Sequence, residues 1–464
     1  MLGIVVLIAY AAIMLGATVI FTKKANDTES FHVADRRIGS VVGAMSIAAT
    51  WIWAPSLFVS AEKAYASGIP GLFWFLVPNA LCLIIFIPFA KRMRVRYPEG
   101  ITLTGYMAET YRSPKVKGVY SFQLGALAVL STAVQLLAGG KMLSALTGIP
   151  FWCVTIILAA VAYSYSRFSG LKASVTTDVV QLGIILLGCA LIVPWLLTKT
   201  GGVAAVIDGL GSITGDHLSL TSKTGLAVFF GFGLPTAVGL ISGPFGDQCF
   251  WQRTFAIRKD RLGRSFFMGA ILFALVPISM GMVGFAAAGN GFAAADTSMV
   301  NMEFIMSVLP SWVLVPFMMM CLSGLLSTVD SNLCAAASMT TDWQMAGKLD
   351  NAGHIKVSRR VMLWLLLVSI LIANIPGLTV THLFLFYGTL RASTLLPTVL
   401  TLLDKKLSAN GVFVGVVLSL CIGLPVFAVG NIWNLPVWKT AGSLITVLTS
   451  GVVAVALSRR GATA

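Results

Sequence analysis

Residues 46–58 read SIAATWIWAPSLF, an apolar run interrupted by a proline. Proline removes a helix hydrogen bond and disfavours helical geometry just before it, so the backbone near Trp53–Pro55 is expected to unwind. A second run, FGFGLPTAVGLISGPFGDQCFWQR at 230–253, invites the same interruption through its glycines and Pro244. Irregular backbone at membrane depth survives only where it lines a cavity or is buried in protein. Glycine and proline are common in membrane helices, so either break alone says little. Two breaks in corresponding places of two halves point to a transporter site near the bilayer midplane.

The rest of the chain supplies the membrane. Of its 464 residues 57% are hydrophobic and only 11% are charged, more apolar surface than a soluble fold needs. Runs of about 20 apolar residues recur throughout, each able to cross a hydrocarbon core as a helix. Thirteen candidate spans are read: 3–21, 40–66, 69–91, 117–147, 150–166, 174–198, 225–252, 263–288, 301–341, 359–376, 379–403, 410–430 and 435–457. The broken spans 2 and 7 each open a group of five. Five is odd, so the second group is inverted relative to the first. The expected fold class is therefore all-α, a polytopic membrane protein with leucine-transporter-type inverted five-helix repeats. Residues 1–39 form a first helix and loop, 40–404 the transport core (40–200 and 225–404), and 405–464 two further helices.

The net charge of +15 does not indicate nucleic acid, because its distribution is that of a membrane protein. Basic residues fill the loops after odd-numbered spans: Lys23, Lys24, Arg36, Arg37, KRMRVR, Arg167, Lys172, RTFAIRKDRLGR, Lys356, Arg359, Arg360, Lys405, Lys406 and the C-terminal Arg459 and Arg460. The opposite loops hold chiefly Lys199 and Lys223. Positive charge stays inside, which predicts a plasma-membrane protein with its N-terminus outside and its C-terminus in the cytoplasm. The first span lacks a basic leader and a small-residue cleavage site, so it reads as an uncleaved helix. The seven cysteines lie in or beside spans and read as packing residues; the four histidines form no cluster. No nucleotide-binding loop or nucleophile–base pair is present, so neither an ATP-driven pump nor an enzyme is expected, nor any cofactor.

Within CLSGLLSTVDSNLCAAAS (321–338), helical spacing puts Ser323, Gly324, Ser327, Thr328 and Ser331 on one stripe. Such serines often bond only to neighbouring backbone. Facing the freed carbonyls of a broken helix, they would instead offer neutral oxygens to a small hard cation. Asp178, in SVTTDVVQLGIILLG (174–188), is an intramembrane carboxylate with Ser174, Thr177 and Gln181 on its face. A carboxylate there marks a functional pathway by default; solvation at the cytoplasmic end is the blander account.

These segments resemble the sodium:solute symporter family. SGLLSTVDSNLCAAASMTTD is similar to its S-T-A-D-S signature, GLKASVTTDVVQ to its G-L-K/R-A-V-x-x-T-D-x-x-Q segment, and YGTLRASTLLP to its Y-G-L-L-R-A-x-x-x-P segment. QLLAGGKMLSALTGI and GDQCFWQR add two further matches. The resemblance implies a sodium site made of the carbonyls of Ala49, Ile52 and Gly324 and the hydroxyls of Ser327 and Thr328. It places Asp178 nearby as support, with Gln181 at a position that some members use for a second sodium. The other ligands of that second site are not clearly matched, so one sodium per cycle is expected. Asp330 and Ser331 are further support positions. Asp330 could tune the ion's field, accept a proton or pair with a base such as Arg391.

Substrate contacts are expected beside the breaks: Thr50, Trp51, Trp53 and Ser56 from the first, Asp247, Gln248, Trp251 and Gln252 from the second, and Gln135. Aromatic walls with Asp and Gln acceptors suit a small solute rich in N–H donors. ATWIWAP and GDQCFWQ look most similar to the family's urea-transporter branch, although this chain is shorter. Urea is the first choice, with an amino acid such as proline, a polyamine or another small amide as alternatives. A passive channel for a neutral solute would need no ion site, and a sensor fused to a kinase has no room in the tail SRRGATA. The expected partners are thus a small solute, sodium and the lipid bilayer.

Overall fold

The computed structural model describes residues 2–22, 27–342 and 350–460. Lys23 and Lys24 lie outside them. The described chain is helical, and no strand occurs among its described residues beyond one isolated bridge, Ile38 to Ile257.

Two groups of four helical segments pack beside each other. In the first, Ser40–Trp51 and Val59–Arg96 pack against Leu262–Gly289, and Leu234–Ile241 packs on Val59–Arg96. In the second, Pro114–Thr147, Phe151–Ser169, Leu314–Ser338 and Asn351–Ala373 all touch one another. Leu171–Lys199 joins the groups by meeting both Ser40–Trp51 and Leu314–Ser338. Val380–Leu402 does so from the other flank, touching Leu234–Ile241 and Pro114–Thr147. Leu2–Phe21 leans on the outside, with Ile8 and Ile20 exposed. Exposed Leu187, Leu191 and Leu371 continue this apolar belt, which lipid is suited to cover.

Among the described residues eleven helices are long and apolar enough to cross a membrane, against the thirteen expected. The difference has three physical causes. Ser40–Trp51 stops at its break and is too short to qualify alone. Val59–Arg96 runs through both the end of expected span 2 and all of span 3, bent at Gly68 (φ 56°). There a Cβ would sit 2.5 Å from His217 O and 2.6 Å from Leu210 O, so the bend needs glycine. Asn351–Ala373 is helical but carries Lys356, Arg359 and Arg360 in its first half, which breaks its apolar run. The expected span 301–341 is also two helices, Val300–Val308 and Leu314–Ser338, divided around Pro310.

Both expected breaks are present. The first helix ends at Trp51, Ile52 and Trp53 leave helical geometry (ψ 82° and 176°), and helix resumes at Ala54. The second ends at Ile241 and resumes at Gln248, where Asp247 caps the new turn by accepting from Cys249 N–H at 2.9 Å.

A short connecting helix, Thr28–Val33, buries His32 completely beside Ser358. Burial pushes its pKa down to about 3, with His354 adding to the shift. The folded chain thus refuses a proton that the unfolded chain takes below about pH 6.5. Stability contributed by neutral His32 is complete above that pH and is lost as pH falls towards 3. The expected loss is about 2 kcal/mol at pH 5. Thermal denaturation across pH 7.5 to 5 should show it, and His32→Gln should flatten the profile. An equal slope in both proteins would assign the acid sensitivity elsewhere.

Candidate ion and solute site

The first break is held open by side chains from other helices. Ile52 N–H closes the last turn on Ala48 O at 2.8 Å. Ala54 N–H, which a continuous helix would aim at Thr50 O, instead donates to Gln135 Oε1 at 2.7 Å. Gln135 is anchored in turn by donating to Ser131 O. Ile52's ψ of 82° turns the following Trp53 N–H off the helix axis and releases the Ala49 carbonyl.

Leu314–Ser338 lies against these freed carbonyls. Thr328 Oγ donates to Thr50 O at 3.1 Å and sits 3.3 Å from Gly324 O. Gly324 allows the approach: a Cβ there would lie 3.0 Å from Ile52 O and 2.7 Å from Leu57 Cδ1. Ser327 Oγ donates to Asp178 Oδ1 at 2.6 Å. Thr50 Oγ and Ser331 Oγ are 2.9 Å apart. Thr328 and Gly324 thus meet the broken backbone at Thr50 and Ile52, the Ser327 hydroxyl turns to Asp178 instead, and all five expected ion-site residues are buried. Ser323 turns back to Met319 O, as membrane serines commonly do.

Arg253 is the residue that sequence reasoning missed here. In sequence it reads as one of the loop bases of RTFAIRKDRLGR, yet it is 1% exposed. Its Nη2 donates to Asp178 Oδ2 at 2.9 Å and Ser331 Oγ at 2.8 Å, and its Nε to Ser46 Oγ at 2.9 Å. Ser46 also donates to Asp178 Oδ2. One guanidinium thus ties the second broken segment to the first, to Asp178's helix and to the serine stripe. The only signal in the sequence was the unpaired intramembrane Asp178, which demands a partner.

Asp330 does not pair with Arg391. It accepts from Ser174 at 2.6 Å, Thr177 at 3.3 Å and Ser331 at 3.4 Å. Gln181 donates to Tyr10 OH of the first helix at 2.7 Å.

The expected solute residues divide. Trp51 and Trp53 stack at 5.3 Å and 14°, and Trp51 Nε1 donates to Asn79 O. Asp247 joins them through Arg391, whose Nη2 donates to its Oδ2 at 2.8 Å. The others are tied up. Ser56 donates to Trp51 O at the long distance of 3.5 Å and Gln135 braces the break. Trp251 donates to Phe245 O and packs on Phe86. Gln248 bridges Ile101, Leu103 and Ser338, and Gln252 reaches His32 O and Cys334 O. These two glutamines fasten the second broken segment to its neighbours and do not face the tryptophans' cage.

Away from the basic loops, a cavity of about 720 Å³ enters the bundle between Lys63, Lys141, Asp296, His382 and Lys439. Leu385 lines it, and the adjacent Phe384 packs edge-on against Trp53 at 5.3 Å.

This arrangement, two broken segments clasped by a serine-rich helix, agrees with the family model that matches residues 31–419, the sodium:solute symporter family. The chain belongs to this family. It is 23% identical to the urea-proton symporter DUR3 of Oryza sativa subsp. japonica over 93% of this chain and 66% of that protein. It is 24% identical to the sodium/pantothenate symporter of Escherichia coli K12 over 87% of this chain and 86% of that protein. The chain spans about two-thirds or less of the urea-transporting relatives it matches. The fold matches that of a Na+-coupled sialic acid symporter with a TM-score of 0.78 at 18% identity, over 98% of both chains. This member of the family is thus a multi-pass membrane protein with a leucine-transporter-type fold, and its relatives are transporters, not enzymes.

Proposed function

We propose that this family member is a secondary active symporter that couples one sodium ion to a small polar solute, with urea as first choice. The observation that carries the reading is the junction of Thr328 and Gly324 with the broken backbone at Thr50 and Ile52, with the Ser327 hydroxyl beside it on Asp178. Those oxygens suit a small hard cation, and their two sides belong to different packing groups. Sodium held there would bind the first broken segment to Leu314–Ser338, and its departure would free the groups to rock. One charge crossing 100 mV supplies about 2.3 kcal/mol to such a cycle. The halves 40–200 and 225–404 are the inverted repeats, each giving helices to both packing groups, in the plasma membrane with the N-terminus outside.

Urea is favoured by the tryptophan cage and by several relatives named as urea transporters. A second reading keeps urea and replaces sodium by a proton on Asp330, which accepts from the hydroxyls of Ser174, Thr177 and Ser331. Uptake of radiolabelled urea into proteoliposomes tests both, under an inward sodium gradient, under an inward proton gradient, and with proline for comparison. Sodium-driven accumulation of urea is the expected result. Accumulation driven by protons alone would move coupling to Asp330. Sodium-driven proline uptake would keep the coupling and discard urea. Equilibration without accumulation would make the chain a channel.

A further inference from the structure

We infer that Arg391 is the specificity-determining residue of the solute site and recognises a solute through an oxygen acceptor on a planar carbon, a carbonyl or a carboxylate. The inference rests on the solute region proposed above and deepens it.

Arg391 is 1% exposed and sits on Val380–Leu402, the helix that meets both packing groups. Its guanidinium carbon lies 5.2 Å from the Trp51 ring, 5.3 Å from Trp53 and 4.6 Å from Tyr387. Aromatic faces attract a cation without satisfying its N–H groups. Nη2 reaches Asp247, but Nε and Nη1 have no aligned hydrogen-bond partner in the protein. Trp53 Nε1 and Tyr387 OH are in the same condition. Buried unpaired donors are costly, so a fold that gathers several around one point is built for something that completes them.

Asp247, by contrast, is already spent. One oxygen caps Cys249 N–H and the other accepts from Arg391. The sequence suggests a site of acceptors for a donor-rich solute; the structure reverses that balance. Glycines make the cluster possible, since a Cβ at Gly243 would lie 2.6 Å from Trp51 and one at Gly246 would lie 2.9 Å from Arg391 O. A planar solute entering the cage would stack on the indoles and offer its oxygen to the guanidinium fork.

Ligand-induced thermal stabilisation of the purified full-length chain in sodium tests this with urea, acetate and guanidinium at low millimolar concentration. Urea and guanidinium share a planar trigonal shape, but guanidinium has no oxygen. Stabilisation by urea or acetate and none by guanidinium is expected. Arg391→Lys keeps the charge and loses the fork, and should weaken the response at least tenfold while gel filtration and circular dichroism stay normal. Guanidinium acting as well as urea would overturn the inference, as would an undiminished response in Arg391→Lys or no response to either oxygen-bearing probe. If Arg391→Lys does not fold, the wild-type comparison decides alone. Acetate acting without urea would support Arg391's role and remove urea from the proposed function. Urea acting equally on both proteins would do the reverse.

Discussion

Arg253→Met is expected to cost about 3–5 kcal/mol of folding stability, the usual penalty for stranding a buried charge. The substitution removes the cation bonded to Asp178, leaves a second carboxylate, Asp330, in the same serine cluster, and strips donors from Ser331 and Cys249 O. Asp178 would keep only the hydroxyls of Ser46 and Ser327. The double variant Asp178→Asn/Arg253→Met removes both charges and should recover most of the loss, because a neutral amide can still bond those serines. Thermal denaturation of the single and double variants forms the cycle that isolates the pair. A single variant within about 1 kcal/mol of wild type would mean that Arg253 does not carry this junction in the membrane. The expectation does not depend on which solute is carried.

Thr328→Ala is expected to raise the sodium concentration for half-maximal uptake by about ten- to a hundredfold, taking roughly 1.5–3 kcal/mol for one oxygen facing a charge. The hydroxyl is 3.1 Å from Thr50 O and 3.3 Å from Gly324 O, so its loss also loosens the contact between the broken segment and Leu314–Ser338. Thr328→Ser restores the oxygen and should restore most of the affinity. Uptake measured against sodium concentration, at matched protein levels, distinguishes the variants. Unchanged sodium dependence in Thr328→Ala would move the ion elsewhere. A fall in maximal rate with no shift in sodium dependence would assign the hydroxyl to the conformational step.

The two breaks were legible because their cause is local. Pro55 and the Gly-Pro-rich turn before Gln248 each weaken the helix locally, and they do so beside further helix-disfavouring residues, unlike Pro78 or Pro194, which sit inside continuous helices. The serine stripe was legible because helical spacing fixes which residues share a face. Span counting failed at the break after Trp51, which leaves Ser40–Trp51 too short and its remainder joined to Val59–Arg96, and at Asn351–Ala373, whose basic residues interrupt the apolar run. The roles of the polar side chains near the breaks were not legible. Gln135, Gln248 and Gln252 could each contact a solute or brace a backbone, and only their distant partners decide which.

The two arginines draw the boundary between sequence and structure. Composition and span length determine an all-helical membrane protein, because hydrocarbon imposes the same demand on every backbone group wherever the chain runs. Arg253 follows a broken helix and precedes a basic loop, so its charge counts equally well as a loop residue until folding sets it against Asp178, 75 positions away. Arg391 lies 144 positions from Asp247 and more than 300 from the tryptophans that box it. A charge is satisfied by whatever lies within a few ångströms, and those neighbours exist only once the helices have packed.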